Sequence, residues 1–262
     1  MAVKRSQSAS RVLGVVELIA ANQPIGVSAL ARLIGEDKSG IQRAVMTLAD
    51  AGWIRPTPEP PVRWELSAHL FTLANLPHSA NDLRQRARRV LEALRDETGE
   101  TVFLAMPDIG RFVVIEVAES PHTLRAALRV GEIISVRHTA TARAVLSYLS
   151  PERLKTVLGG EPMDPADVAE FAGARGRGFG LSADGALGST IVAAPIFDGD
   201  GQPLASIGIS GPSERIPPDR HAWIGALAAA AAQGLSRGVP RPPTPVQDGS
   251  IASARVTSPQ AS

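Results

Sequence analysis

The sequence predicts an α+β protein in two parts, and three observations support this prediction. Helical and strand-like patterns are segregated along the 262 residues: three short helices and a hairpin come first, and strands followed by longer helices come later. Hydrophobic residues make up 44% of the chain and aromatic residues only 4%, which indicates mainly aliphatic cores. The chain is also longer than one average domain requires, so two domains are a natural division.

The first two elements are predicted to be short amphipathic helices. Apolar side chains recur at helical spacing over residues 11–21, and Ser8 or Ser10 is available as the N-cap of this helix. A second helix is expected over residues 29–34, with Ser28 as its cap and a glycine directly after it. Both helices therefore have one apolar side to bury.

A third helix is predicted between Asp37, its natural N-cap, and Gly52. Its apolar residues form one stripe, whereas the opposite face carries Ser39, Gln42 and Arg43 near the N-terminus. Two short helices separated by three or four residues, the second presenting polar and basic side chains, are typical of a helix-turn-helix. The second helix of that motif enters the major groove of DNA.

A β-hairpin is predicted after the third helix and is typical of a wing. Residues 53–55 and 63–66 alternate as strands around a proline-rich turn, which Arg55 and Arg63 flank. Because a proline-rich tip is stiff, we expect the wing to lie against the phosphate backbone rather than deep in the minor groove. The candidate DNA-contacting residues are Lys38, Ser39, Gln42, Arg43, Arg55 and Arg63.

These candidates differ in the contacts that their side chains suit. Ser39 and Gln42 suit base edges, Arg43 suits guanine or phosphate, and the other three suit backbone phosphates. The chain as a whole has a net charge of only +1, and residues 1–66 carry 8 Lys and Arg against 6 Asp and Glu, so the placement of the charges matters more than their sum. A protein-interaction module is the alternative that this pattern leaves open.

The residues beyond the hairpin are predicted to form a separate unit. A connecting helix over residues 68–76 and a break at 77–80 precede a helix over residues 82–98, whose arginines we expect to face solvent. Strands are predicted over residues 101–106, 111–117, 123–130, 191–197 and 204–210, and helices over residues 140–149, 151–158, 166–174 and 219–235. With its helices on one face, such a sheet leaves a concave side for a ligand.

The domain boundaries expected from this pattern are residues 1–67 for the first domain, 68–80 for the linker, 81–237 for the second domain and 238–262 for a proline-rich disordered tail. Catalytic motifs are incomplete: Pro212 stands where a nucleophile elbow around Ser210 needs glycine, and residues 176–180 are interpreted as a flexible turn. With no cysteine and five scattered histidines, we expect no metal, no cofactor and no enzyme. We also expect no membrane span and a cytoplasmic location, because no apolar run reaches the roughly 20 residues of a span and the lack of cysteine suits a reducing compartment.

An ordered set of short segments resembles the IclR family of transcriptional regulators. The segments are Leu30-Ala31-Arg32, Lys38-Ser39-Gly40-Ile41-Gln42-Arg43, Thr98-Gly99-Glu100-Thr101-Val102, Arg129-Val130-Gly131, and Ile209-Ser210-Gly211-Pro212. The resemblance spans residues 8–237. It implies a winged helix-turn-helix domain joined by a linker helix to a GAF-like effector-binding domain, in a ligand-responsive repressor of a catabolic or metabolic operon. It further implies a palindromic double-stranded operator and a homodimer or a dimer-of-dimers tetramer.

The resemblance also implies where an effector binds. The family's lining residues correspond here to residues 137–142, 189–192 and 207–210. The candidate effector-binding residues are Arg129, His138, Ala140, Thr141, Ile191, Gly208 and Ser210. Relatives that bind glyoxylate or pyruvate have a cysteine where this chain has Ile191 and a serine where it has Gly208. Losing those polar groups disfavours a small, strongly hydrated acid, because such a ligand needs partners when it is buried.

We therefore expect a larger, partly apolar effector such as an aromatic acid or amide. Arg125, Arg129, Arg137 and His138 are the candidate polar anchors for it. The alternative is a small-molecule sensor whose winged helix serves protein–protein interaction. That alternative predicts no binding to any promoter DNA.

Overall fold

The computed structural model describes residues 6–74, 76, 79–184 and 188–237, so the predicted tail lies outside the described residues. The chain divides into two compact units, Met1–Asn81 and Asp82–Ser262. Unit 1 contains α1 (Gln7–Asn22), α2 (Val27–Ile34), α3 (Lys38–Asp50), β1 (Ile54–Pro56), β2 (Trp64–Leu66) and α4 (Ala68–Ala74). This order of helices and hairpin is the predicted one.

The helix starts in unit 1 follow from their capping residues. The carboxylate of Asp37 accepts a hydrogen bond from the Gly40 amide at 2.8 Å, which confirms it as the N-cap of α3. The predicted caps of α1 and α2 are wrong. Ser6 caps α1, one residue before its first helical residue, and α2 begins after Gly26, so Ser28 lies inside the helix.

The three helices and the hairpin of unit 1 share one core. Its fully buried members include Val15 and Ile19 of α1, Leu30 of α2, and Ile41 and Val45 of α3. These residues are the apolar stripes that the sequence pattern indicated. The polar faces of α2 and α3 are thereby left at the surface.

Unit 2 is built on one six-stranded antiparallel sheet with strand order β5-β4-β3-β8-β7-β6. Its elements are α5 (Ser79–Thr98), β3 (Thr101–Asp108), β4 (Arg111–Ala118), β5 (Ile133–Ser135), α6 (Ala140–Leu146), α7 (Pro151–Val157), α8 (Pro165–Arg177), β6 (Gly180–Asp184), β7 (Ser189–Phe197), β8 (Pro203–Pro212) and α9 (Pro218–Leu235). The fold is α+β, as predicted, and is consistent with a GAF-like effector domain.

Helices cover both faces of this sheet, so the prediction that they lie on one face is wrong. One apolar core joins α5 and α9 to the sheet, and a second joins α6, α7 and α8 to the opposite side. The physical reason is visible in β7 and β8. Their residues are buried almost continuously, which is the pattern of strands that are covered on both sides.

Three local predictions in unit 2 are also wrong. The third strand is β5, whereas residues 123–130 are irregular and mostly exposed. Residues 180–184 form β6, an edge strand that is missing from the predicted set of strands. The supposed flexible turn at residues 176–180 instead contains the end of α8, which stops where Gly178 adopts a φ of 79°.

No helix among the described residues is long and apolar enough to cross a membrane.

Candidate functional site

A groove of about 580 Å³ lies on the surface of unit 1. It is lined by residues 24–29 around the start of α2, by Arg32 of α2, by Lys38 and Gln42 of α3, and by residues 61–64 of the hairpin. The groove thus borders both helices of the predicted helix-turn-helix and the predicted wing. These are the elements that the sequence pattern assigned to DNA contact.

Backbone hydrogen bonds fix the hairpin beside α2. The Ile25 amide donates to the Trp64 carbonyl at 3.1 Å, and the Trp64 amide donates to the Ile25 carbonyl at 2.8 Å. The Gln23 side chain accepts a further bond from the Leu66 amide at 2.7 Å. The turn before α2 and the second hairpin strand therefore form one continuous wall of the groove.

The charged residues that line the groove are all cations. They are Arg32, Lys38 and Arg63, each exposed, and no carboxylate lines the groove with them. Within residues 6–74 the ion pairs are Arg11 with Glu36 and Arg55 with Glu65, so none of the three lining cations is neutralised by a carboxylate. Uncompensated cations facing one concave surface create a local positive potential that attracts an anionic ligand.

Three of the six predicted DNA-contacting residues meet in this groove, namely Lys38, Gln42 and Arg63. Ser39 is exposed beside them, but its hydroxyl donates to Asp37 Oδ1 at 2.5 Å. This bond, together with the one from the Gly40 amide, lowers the pKa of the Asp37 carboxyl. Ser39 therefore helps to cap α3 as well as facing solvent.

The other two predicted residues do not line the groove. Arg43 is exposed on α3, next to Gln42, and takes part in no ion pair in the described part of unit 1. Arg55 lies directly opposite Glu65 in the hairpin, and its Nε donates to Glu65 Oε1 at 2.8 Å. Its charge is thus already partnered, unlike those in the groove.

Arg32 is the charged residue in the lining of the groove that the predicted DNA-contacting set lacks. It follows Ser28 by four residues, so both project from the side of α2 that does not carry the buried Leu30. Both residues line the groove. Their shared helical face was the available signal, but it required knowing which side of α2 adjoins the hairpin.

In unit 2, a row of side chains crosses one end of the sheet. The strand registers pair Thr101 with Ser210, Ser210 with Ile191, and Ile191 with Ser182, so these four side chains share one face. Thr101 and Ser210 are buried. Two of the predicted effector residues, Ile191 and Ser210, are therefore neighbours on the sheet.

Helix α6 packs closely on the same end of the sheet. A side chain on Gly180 would overlap the Ala140 carbonyl, which shows how near α6 lies to β6. Thr141 is 1% exposed and Ser210 is 2% exposed. The end of the sheet next to α6 thus contains two buried residues that carry hydroxyl groups.

Gly208, another predicted effector residue, is covered by an aromatic ring. A Cβ atom on Gly208 would overlap the fully buried ring of Phe103, which is its cross-strand partner on β3. The volume that a serine side chain would need at this position is therefore already filled. The face of the sheet around Gly208 is therefore apolar because of the Phe103 ring as much as because of the glycine.

The candidate polar anchors are dispersed. The His138 ring nitrogens lie 3.5 Å from Asp164 and from Asp167 of α8, so the ring is directed at that helix. Arg125 pairs with Glu119 at 2.9 Å, and the remaining two, Arg129 and Arg137, are exposed and half-buried, respectively. Among the described residues, none of the four forms a hydrogen bond or an ion pair with Ser210. No group of metal-ligating side chains occurs in the described ranges either.

Two family models match this chain. The IclR helix-turn-helix domain matches residues 8–58, and the C-terminal domain of the bacterial transcriptional regulator IclR matches residues 78–237. Together they span unit 1 up to the hairpin and most of unit 2.

Individual proteins agree with the family models. The transcriptional repressor IclR of Escherichia coli K12 is 29% identical over 244 residues, which cover 88% of this chain and 89% of the repressor. A putative IclR transcriptional regulator from Silicibacter sp. TM1040 is 26% identical with a TM-score of 0.74, covering 91% of this chain and 100% of that one. An IclR homologue of Microbacterium hydrocarbonoxydans, solved with 4-hydroxybenzoate, shares the fold with a TM-score of 0.73 at 20% identity, covering 88% of this chain and 99% of that one.

Proposed function

The chain belongs to the IclR family of bacterial transcriptional regulators, and we propose that it represses a catabolic or metabolic operon by binding a palindromic operator under the control of a small molecule. It is a DNA-binding regulator and not an enzyme, which confirms the predicted resemblance and function class. The observation that supports operator binding best is the groove of unit 1, where three unpaired cations adjoin the exposed face of α3.

The proposed DNA contacts follow the chemistry of each side chain. Gln42 and Ser39 contact base edges, Arg43 contacts guanine or phosphate, and Lys38 and Arg63 contact backbone phosphates. In this proposal the domain boundaries remain residues 1–67, 68–80 and 81–237. The protein acts in the cytoplasm, where its operator is.

An electrophoretic mobility shift with the DNA upstream of the protein's own gene tests this function, with a scrambled duplex of equal composition as competitor. We expect a shift that the scrambled duplex does not abolish. Gln42→Ala is expected to reduce the preference for the operator, because an amide can read adenine through two hydrogen bonds. Gln85→Ala, an exposed glutamine of α5, is the matched control. No shift with any promoter DNA would instead favour a winged helix that binds proteins.

We propose that the effector binds beside the row of Thr101, Ser210 and Ile191, under the start of α6. Phe103 and Ile191 provide apolar surface there, and the hydroxyls of Thr141 and Ser210 provide polar partners. Pockets of this composition hold ligands that are largely apolar with a few polar groups. A partly aromatic acid or amide fits that description, and the related structure solved with 4-hydroxybenzoate supports this class.

Thermal shift followed by titration calorimetry tests the effector class. We expect stabilisation by an aromatic acid or amide, with 4-hydroxybenzoate as the first probe, because a ligand that binds only the folded state raises the unfolding temperature. Ser210→Ala and Thr141→Val should weaken this binding, while Ser213→Ala, a serine beyond the end of β8, serves as the control. Tight binding of glyoxylate or pyruvate would contradict the proposed class.

The palindromic operator requires at least two copies of the chain, since each copy reads one half-site. We propose a homodimer or a dimer of dimers. Light scattering coupled to gel filtration at micromolar concentration should give a mass of two or four chains. A single-chain mass under those conditions would contradict the proposal.

Control by the effector requires only that the ligand prefers one arrangement of the two domains, which shifts the population that fits the operator. The segment from α4 to the start of α5 connects the domains along the chain and is where we place this coupling.

A further inference from the structure

We propose that Arg32, Lys38 and Arg63 together bind the DNA backbone, and that Arg55 does not take part. This inference rests on the proposed operator binding and changes its phosphate-contacting set. The sequence pattern predicts phosphate contacts for Lys38, Arg55 and Arg63, whereas the groove contains Arg32 and lacks Arg55.

The three cations come from three segments of unit 1 whose backbones are held in place. Arg32 belongs to α2, and Lys38 is the first residue of α3, directly after its N-cap. The Arg63 amide donates to Thr57 Oγ1 at 3.1 Å, and the Arg63 carbonyl accepts from the Thr57 amide at 2.8 Å. A set of charges that the fold fixes in advance loses little freedom when it binds an extended anion.

Arg32 and Arg55 differ in whether a nearby carboxylate compensates their charge. Arg32 faces a groove that has no carboxylate in its lining, so its charge is available to a ligand. Arg55 already donates to Glu65, its cross-strand neighbour, and a phosphate would have to compete with that carboxylate and would be repelled by it. The same reasoning excludes Arg11, which pairs with Glu36.

The size and composition of the groove favour a nucleic acid backbone over a small anion. A volume of about 580 Å³ is large for inorganic phosphate, and the lining also includes Ile25, Val27 and Val62, which suit the apolar edges of sugars. Gln42 lines the groove and also lies on the exposed face of α3. A backbone lying in the groove would therefore continue into the part of the duplex that α3 reads.

Fluorescence anisotropy with operator and scrambled duplexes, over about 50 to 200 mM salt, tests the assignment. The variants are Arg32→Gln, Arg55→Gln and, as a control of equal charge change, Arg89→Gln on the exposed side of α5. For Arg32→Gln we expect about a tenfold loss of affinity for both duplexes, and a salt slope smaller by about 1, because one phosphate contact is removed. Arg55→Gln and Arg89→Gln should leave the slope unchanged.

Two further measurements distinguish the loss of a phosphate contact from the loss of the fold. Arg32→Lys retains the charge and should keep the wild-type salt slope, and circular dichroism melting of each variant excludes loss of fold as the cause. A wild-type slope for Arg32→Gln together with a reduced slope for Arg55→Gln would overturn the inference while leaving DNA binding intact. Failure of the wild-type protein to bind any duplex would instead refute the proposed function on which the inference rests.

Discussion

At the scale of single residues, Asp37 shows how one side chain can serve both the fold and the site. Its carboxylate accepts from the Gly40 amide and from the Ser39 hydroxyl, so it closes the first turn of α3. The same bonds stabilise the ionised carboxylate and lower its pKa below the ordinary value of 3.8. The bond from Ser39 has the larger effect and the bond from Gly40 the smaller one. The cap holds the turn that presents Lys38 and Gln42.

Asp37→Ala is expected to destabilise unit 1, because the N-cap hydrogen bond to the Gly40 amide is lost, and to weaken DNA binding. Urea unfolding followed by circular dichroism measures the stability. Asp37→Asn is the matched control, because asparagine caps equally well without the charge. If both variants were as stable as the wild-type protein, the cap would contribute nothing and this account of α3 would be wrong.

The pH dependence of this cap has a definite sign. Because the folded-state pKa of Asp37 is lowered, its contribution is present above the unfolded-state pKa and is lost as the pH falls through the folded-state value. The stability difference between the wild-type protein and Asp37→Ala should therefore shrink below about pH 4. A difference that grew in acid would contradict the assignment of the charged form as the cap.

Gly208 is a second residue whose substitution has a predictable effect, because the Phe103 ring occupies the space that a side chain would need. Gly208→Ala is expected to cost about 1–3 kcal/mol through overpacking. Gly176, inside α8 with no atom within 4 Å of an added Cβ, is the matched control, and Gly176→Ala should add about 0.5–1 kcal/mol of stability. Thermal unfolding measures the stability of the two variants, and we expect a lower unfolding temperature for Gly208→Ala than for Gly176→Ala. Equal unfolding temperatures would mean that Phe103 does not constrain the sheet.

At the scale of elements, Asp167 of α8 holds the turn that leads into α6. It is fully buried and accepts from the His138 amide at 3.0 Å, while Arg143 Nε lies 3.4 Å away. His138 has a φ of 59°, a conformation that costs a residue other than glycine about 1–3 kcal/mol unless its surroundings stabilise it. Asp167 therefore fixes the position of Ala140 and Thr141.

Asp167→Ala should lower the stability of unit 2 by about 3 kcal/mol, because the His138 amide loses its acceptor and Arg143 keeps its bond to the Leu181 carbonyl but loses its carboxylate. Asp167→Asn retains an acceptor for the amide and should lose less. Both are measured by urea unfolding, and the ligand titration described above should show weaker binding for each. A variant Asp167→Ala with wild-type stability would show that the turn is held by other contacts.

The elements of unit 1 could be predicted from the sequence more fully than those of unit 2. Helical periodicity and the cap at Asp37 are local properties, so α3 is already defined within its own sequence. The second layer of helices on the sheet is not local. It depends on strands distant in sequence, such as β3 and β8, lying side by side, and periodicity within one strand cannot show that pairing.

The residues of the candidate site could likewise be predicted where the signal is local and not where it depends on contacts between distant segments. Lys38, Gln42 and Arg63 were predicted because polar residues on a helix face and beside a hairpin tip can be recognised locally. Arg32 could not be recognised so easily, since its role depends on the hairpin docking beside α2 through Ile25 and Trp64. The ion pair with Glu65 excludes Arg55 from the proposed phosphate-contacting set, and it can be predicted only when the register of the hairpin is known.

At the scale of the whole molecule, the net charge of +1 does not reveal the DNA-binding surface. The average combines a unit that has three unpaired cations in one groove with a second unit in which most of the described arginines pair with carboxylates, as Arg84 does with Glu116 and Arg215 with Glu100. A groove lined by uncompensated cations can therefore exist in a protein whose net charge is close to zero. The salt dependence of binding should reflect the groove and not the total charge.

The central claim is that this chain reads a two-fold symmetric DNA sequence through α3 and the groove of unit 1. In vitro selection from a pool of random duplexes, with the full-length protein and sequencing of the bound fraction, tests it most directly. We predict enrichment of a motif made of two inverted half-sites whose centres lie about 10 base pairs or a multiple of that apart. Loss of the enrichment in Gln42→Ala, but not in Gln85→Ala, would assign the readout to α3. A bound fraction with no enriched sequence would contradict the claim.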